Sequence, residues 1–120
     1  MNKWLNLSGR ILLAALFAAG ALQKVSDPAA VRGLLAGMGL PEWLIWPAAL
    51  FNAVACVGLV AGPYIGLWAL SLAAYCAVTS VFHWIPGDGW QMSIFIKNWA
   101  IAGGLLVLAS QYGFGARGRT

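Results

Sequence analysis

The chain has 120 residues, of which 62% are hydrophobic and only 8% are charged. A soluble domain carries roughly a quarter charged residues, whereas this chain has seven Lys or Arg and three Asp or Glu. The composition therefore predicts an integral membrane protein, whose outer surface contacts lipid. The net charge of +4 does not indicate nucleic-acid binding, because the basic residues are scattered singly and form no patch.

Four apolar stretches have the length of about 20 residues that a helix needs to cross a bilayer. We expect them to form one transmembrane domain, an all-α antiparallel four-helix bundle. Only Gly62 and Pro63 separate the second stretch from the third, and so short a turn predicts adjacent antiparallel helices. The predicted spans are residues 5–22, 43–61, 64–85 and 92–112.

The connection between the first two spans contains signals for a helix of its own. Asp27 suits the N-cap position and Pro28 the first helical position, while Gly37 and Gly39 favour a helix end. The spacing places three apolar side chains on one face: Val31, Leu34 and Leu35. We therefore predict a short amphipathic helix that lies on the membrane surface.

The distribution of charge favours an orientation with both termini in the cytoplasm. The side that holds the termini has four basic residues and no acidic one: Lys3, Arg10, Arg117 and Arg119. The opposite side has three basic residues, Lys24, Arg32 and Lys97, together with the three acidic ones, Asp27, Glu42 and Asp88. The excess of basic residues is modest, and it places the termini inside.

The first span also has features of a cleavable secretory signal. Lys3 precedes the apolar run Ile11–Ala19, and the small residues of Ala19–Ala21 are typical of a cleavage site. Cleavage would leave three spans. We favour an uncleaved span, because the family motifs described below run through this segment.

Two polar residues fall inside predicted spans, where ionisable and amide groups need a partner. Arg10 has two alternatives, which are snorkelling to cytoplasmic headgroups and a buried role. Asn52, in the second span, is expected to form a hydrogen bond with a neighbouring helix. Cys56 and Cys76 lie in apolar stretches and are interpreted as small hydrophobic residues. They form a redox pair only if the helices bring the sulfurs together.

The predicted outer ends of the helices carry a group of polar side chains at similar depth: Lys24, His83, Gln91, Lys97 and Asn98. Trp84, Trp90 and Trp99 lie among the last four of these residues in the sequence. Such a group predicts a site for a flat molecule with carbonyl groups, such as a quinone, with His83 able to pass a proton. The alternative is that both lysines snorkel to phosphates while His83 caps a helix. The sequence has neither a self-contained catalytic motif nor metal-ligand spacing.

Several motifs occur in the order found in DoxX-like membrane proteins, and together they run from about Gly9 to Gly115. They are Gly9–Leu12, Phe17–Gly20, Lys24, Gly39–Pro41, His83, Gln91, Phe95–Asn98 and Gly103-Gly104. The chain resembles this family over nearly its whole length. The resemblance implies a four-helix bundle in the bacterial inner membrane.

The family name derives from a subunit associated with a terminal quinol oxidase and thiosulfate:quinone oxidoreductase. The resemblance therefore implies an accessory subunit of a membrane oxidoreductase, with no intrinsic cofactor and a quinone as candidate ligand. The alternative function is a non-catalytic membrane scaffold that stabilises a partner. A channel subunit is disfavoured, because no span carries a polar stripe from end to end.

The chain departs from the family pattern in its tail, where Gly113–Gly115 runs into Ala116 and Arg117, and in its second span. The family usually carries Glu in the second span where this chain has Asn52. The pattern implies that such a Glu would neutralise Arg10, so we expect Arg10 and Asn52 to face each other.

The orientation is testable with reporter fusions at Thr120 and within the loop of residues 86–89. We expect the two reporters to lie on opposite sides of the membrane, with the C-terminal one in the cytoplasm. Reporters on the same side would contradict the four-span topology.

Overall fold

The computed structural model describes residues 2–115 and contains only helices and turns within that range. Four helical segments are long and apolar enough to span a bilayer, with lengths of 19 to 24 residues and mean hydropathy of 1.6 to 2.0. The predicted all-α membrane fold is therefore confirmed. The five α-helices are α1 (Lys3–Ser26), α2 (Pro28–Gly37), α3 (Ile45–Ala61), α4 (Ile65–Thr79) and α5 (Gly89–Tyr112).

Two short 3-10 helices extend the apolar segments. Glu42–Leu44 leads into α3, and Ser80–His83 continues α4. The chain divides into two compact units, one ending at Gly62 and the other beginning at Pro63. Each unit is a helical hairpin.

In the first unit, α1 packs antiparallel to α3. Arg10, near the start of α1, contacts the end of α3, and Lys24, near the end of α1, contacts Asn52 further back along α3. The buried residues of α3 recur at three- and four-residue spacing and so form one face: Ile45, Ala49, Asn52, Ala55, Gly58 and Leu59. Asn52 is the only polar side chain in that set.

The predicted helix between the first two spans is present as α2. Pro28 occupies its first turn, and its apolar face includes Leu35, which is buried. Asp27 occupies the N-cap position as expected, but its side chain makes no capping hydrogen bond. After the helix, Gly39 has a φ of 71°, a left-handed conformation that favours glycine.

In the second unit, α4 packs antiparallel to α5. The last helix begins at Gly89, whereas the hydrophobic pattern predicted a start at Met92. The reason is the Asp88 cap, because Asp88 Oδ1 accepts hydrogen bonds from the backbone N–H groups of Trp90 and Gln91, each at 3.1 Å. Gln91 is therefore a helical residue in the first turn of α5.

The two helices α4 and α5 approach each other closely at Gly66. This glycine is buried near the start of α4, and a Cβ atom on it would overlap with the backbone carbonyl of Gly113. Gly113 ends α5 in a left-handed conformation with a φ of 67°. The absence of a side chain at Gly66 lets the end of one helix rest against the start of the other.

This contact gives a stability prediction. Gly66→Ala should lower the free energy of unfolding by about 1–3 kcal/mol, because the backbone of Gly113 must move to admit the methyl group. Gly103→Ala is the matched control, since it lies inside α5 with no atom within 4 Å of the new Cβ. The control should change stability by less than about 1 kcal/mol, in the stabilising direction. Unfolding measured in detergent checks both, and equal effects would contradict the close packing.

Candidate functional site

Arg10 joins the two long helices of the first unit. Its Nη1 donates to the carbonyl oxygens of Leu59 and Val60 at 3.1 and 3.0 Å, and its Nε donates to Asn6 Oδ1 at 3.0 Å. The last carbonyls of a helix have no partner within that helix, and they form its negative pole. Arg10 therefore satisfies and neutralises the end of α3, which supports the buried alternative over simple snorkelling.

The expectation that Arg10 faces Asn52 is wrong. Asn52 lies seven residues before Leu59, so the two positions are about 10 Å apart along α3 at 1.5 Å per residue. The antiparallel packing places Asn52 beside the C-terminal part of α1 and away from Arg10 near its start. A family motif indicates that a residue matters, but it does not specify the register of two helices.

The partner of Asn52 is Lys24. With the amide oriented to satisfy both of its groups, the Asn52 oxygen accepts from Lys24 Nζ at 3.1 Å, and the Asn52 nitrogen donates to the Ala48 carbonyl at 3.2 Å. Asn52 is 2% exposed, and Lys24 is half-buried. A Cβ on Gly20 would lie 3.0 Å from the Asn52 amide and 3.8 Å from Lys24 Nζ. Lys24 thus points back along α1 towards the level of Gly20, and away from the helix end.

His83 and Gln91 form the polar pair of the second unit. His83 Nδ1 and Gln91 Oε1 lie 2.6 Å apart, and both side chains are half-buried. With the Gln91 oxygen as acceptor, Nδ1 carries the hydrogen and Nε2 of a neutral His83 has a free lone pair. Within residues 2–115, Nε2 has no hydrogen-bond partner, and it is not fully buried. That nitrogen is available to a ligand.

An aromatic row lies next to this pair. The rings of Trp84 and Phe95 have centroids 5.0 Å apart, and those of Phe95 and Trp99 are 6.4 Å apart in an edge-to-face arrangement. Phe95 lies four residues after Gln91 and therefore on the same face of α5, which places the row along that helix from the pair. Offset and edge-to-face aromatic contacts of this kind hold their rings in defined positions.

Asn98 and Lys97 occupy different faces of α5. Asn98 lies seven residues after Gln91 and four before buried Ala102, which is the spacing of one packed face. Lys97 is exposed and about 100° round the helix from Asn98. The structure thus aligns Gln91 with Asn98 and separates Lys97 from them. The convergence of Lys24 with His83 and Lys97 stays a prediction.

The remaining residues singled out above carry no assembled chemistry. Cys56 and Cys76 are free thiols. In the part of the chain that the structure describes, no group of three His, Cys, Asp or Glu side chains could hold a metal ion. Arg117 and Arg119, two of the basic residues on the side that holds the termini, lie outside the described residues.

The fold and these contacts define a multi-pass α-helical membrane protein with helices in contact with the lipid bilayer. The DoxX family profile matches residues 5–84 of the chain. The protein therefore belongs to the DoxX family. No curated protein matches it significantly, and no solved structure does. The family match includes Arg10, Lys24, Asn52 and His83, whereas Gln91, Lys97 and Asn98 lie beyond its end.

Sequence reasoning missed two features of these sites. The backbone carbonyls of Leu59 and Val60 are the partners of Arg10, and a carbonyl leaves no signal in a sequence. Gly20 is the neighbour of the Lys24–Asn52 pair, although its spacing of four residues before Lys24 places both on one face of α1. That spacing was the available signal.

The register of α1 against α3 can be tested with two double-mutant cycles. Arg10→Leu and Asn52→Glu should be additive within about 0.5 kcal/mol, because the two side chains do not touch. Lys24→Met and Asn52→Glu should couple by about 1 kcal/mol or more, because a new carboxylate at position 52 would contact the Lys24 ammonium. Thermal unfolding in detergent provides the measurement. Coupling in the first cycle without coupling in the second would contradict the observed register.

Proposed function

We propose that this DoxX-family protein is an accessory subunit of a quinone-linked membrane oxidoreductase, and that it holds a quinone or quinol headgroup at the His83–Gln91 pair. The supporting observation is the 2.6 Å contact between His83 Nδ1 and Gln91 Oε1, which leaves Nε2 of His83 without a hydrogen-bond partner among residues 2–115. The protein supplies the binding site, and the redox chemistry belongs to the quinone and to a partner subunit.

The imidazole suits both forms of a quinone. A neutral His83 accepts a hydrogen bond from a quinol hydroxyl at Nε2, and a protonated His83 donates to a quinone carbonyl through the same atom. Gln91 keeps Nδ1 occupied in both cases. The pair therefore directs one nitrogen at the ligand whichever protonation state it has.

The aromatic row supplies the flat, apolar surface that a quinone ring requires. Trp84 and Trp99 are about half exposed at the ends of the row, so a planar ligand can reach their faces. Asn98 lies on the same face of α5 as Gln91 and is the next candidate donor along the helix. Lys97 remains a candidate donor, on the prediction that it approaches His83.

The proposal places the protein in the bacterial inner membrane with both termini in the cytoplasm. The His83–Gln91 pair would then lie at the periplasmic side, at the depth of the quinone headgroup rather than of its tail. The runner-up function is a non-catalytic scaffold, which requires no ligand at this pair.

The binding part of the proposal is tested by the affinity of a soluble quinone analogue for the protein in nanodiscs. Gln91→Leu should weaken binding at least tenfold, because it removes the hydrogen-bond partner of His83 Nδ1 and a polar group from the site. Gln23→Leu is the matched control, since Gln23 is an exposed glutamine on α1, and it should bind like the wild type. Lys97→Met should weaken binding if the fourth-span lysine belongs to the site, whereas Lys3→Met should have no effect.

The subunit part of the proposal is tested in membranes from cells that lack the gene. These membranes should reduce quinone more slowly than wild-type membranes, and the wild-type gene should restore the rate while Gln91→Leu should not. Equal affinity of the analogue for wild type and Gln91→Leu, together with full rescue by Gln91→Leu, would overturn the proposal in favour of the scaffold.

A further inference from the structure

Outside the proposed quinone site, Lys24 of the first unit is a partly buried cation without a paired carboxylate among residues 2–115. Lys24 Nζ contacts the Asn52 oxygen at 3.1 Å, and within residues 2–115 it forms no ion pair with a carboxylate. An ammonium has three donors, and this contact uses one of them. Asn52 is neutral and its nitrogen donates to the Ala48 carbonyl, so among residues 2–115 the charge of Lys24 has a dipole beside it and no paired carboxylate.

The position of the ammonium makes a missing counter-charge costly. α1 has 24 residues, which gives a length of about 36 Å against a hydrocarbon thickness of about 30 Å. Nζ lies at the level of Gly20, six residues before the last residue of α1, and is therefore about 9 Å from the helix end. This depth is a few ångström inside the apolar layer, where an unpaired charge is expensive.

The local structure holds the ammonium at that depth. A lysine two residues from a helix end has the length to extend to the headgroups, and Lys24 instead turns back along its own helix. Two features permit this: Gly20 has no side chain to occupy the space, and buried Asn52 offers an oxygen there. The pair thus combines a buried amide with an ammonium group, of which two N–H groups remain available for a ligand.

We propose that Lys24, held by Asn52 and Gly20, binds the oxyanion of an anionic phospholipid headgroup at the end of α1. A phosphate oxygen accepts both remaining N–H groups and supplies the missing negative charge. The phosphate of a lipid beside α1 lies at the edge of the hydrocarbon layer, and it reaches Nζ by moving a few ångström inward while its tails extend along α1 and α3. This proposal does not depend on the proposed quinone function.

The decisive variant is Asn52→Asp, which keeps the size of the side chain and provides an internal carboxylate beside Lys24. The lysine then has its counter-charge within the protein, and the bound lipid should be displaced. Lys24→Met removes the cation itself. Lys3→Met is the control, because Lys3 is an exposed lysine at the other end of the same helix, where its ammonium lies over the Trp4 ring.

The measurement is the rise in the unfolding temperature of detergent-solubilised protein as phosphatidylglycerol is added, compared with phosphatidylcholine and with inorganic phosphate. Wild type and Lys3→Met should be stabilised by phosphatidylglycerol at concentrations at least tenfold lower than Asn52→Asp and Lys24→Met require. Stabilisation of the wild type by inorganic phosphate at equal concentration would assign the same oxyanion site to a free anion.

Two results would overturn the proposal. One is an equal response to phosphatidylglycerol in wild type and Asn52→Asp, provided that circular dichroism shows the variant to be folded. The other is an equal response of the wild type to phosphatidylcholine and phosphatidylglycerol. Neither result bears on quinone binding at His83, because a quinone analogue would still distinguish Gln91→Leu from Gln23→Leu.

Discussion

Backbone hydrogen bonding in lipid is the constraint on which the rest of this structure depends. The hydrocarbon layer offers no water, so every backbone N–H and C=O within it must find a partner in the protein. A helix satisfies its interior but leaves groups unpaired at each end. Polar side chains at those ends supply some of the missing partners. Asn2 accepts from the first N–H groups of α1, and Asp88 accepts from those of α5.

Arg10 meets the same constraint at the opposite pole of a helix. The carbonyls of Leu59 and Val60 stay unpaired within α3, and the guanidinium donates to both from the neighbouring helix. One interaction thus satisfies the end of α3, compensates its dipole and secures the register of α1. A charged arginine in an apolar span is unfavourable by itself, but Arg10 stabilises the first hairpin through these contacts.

The two hairpins carry different chemistry. The first has a cation beside a neutral amide, and the second has an imidazole in a 2.6 Å contact with an amide. An ammonium binds oxyanions, whereas a neutral imidazole with one free nitrogen binds hydroxyl or carbonyl groups. Asn52 and Gln91 therefore play the same role in the two units, since each holds a titratable neighbour in one geometry without adding charge.

The sequence predicts those structural features that depend on local interactions along the chain. Lipid contact requires apolar stretches of a definite length, so four membrane-length helices follow from composition and periodicity. Likewise, the backbone preferences of Pro28 and Gly39 determine where α2 begins and ends. The sequence also contains a signal for the start of α5 at Gly89, because Asp88 is a good N-cap residue. The hydrophobic pattern begins later, and it therefore predicts a later start.

The pairing of polar residues was decided only by the tertiary structure. Arg10, Lys24 and Asn52 all stand out in the sequence. The family resemblance implies that Arg10 faces Asn52, whereas the structure pairs Lys24 with Asn52. A shift of two helical turns between α1 and α3 separates these alternatives, and neither hydropathy nor spacing within one helix encodes it. The register depends on contacts between helices, here a backbone carbonyl that accepts from Arg10 and a glycine that leaves room beside Asn52.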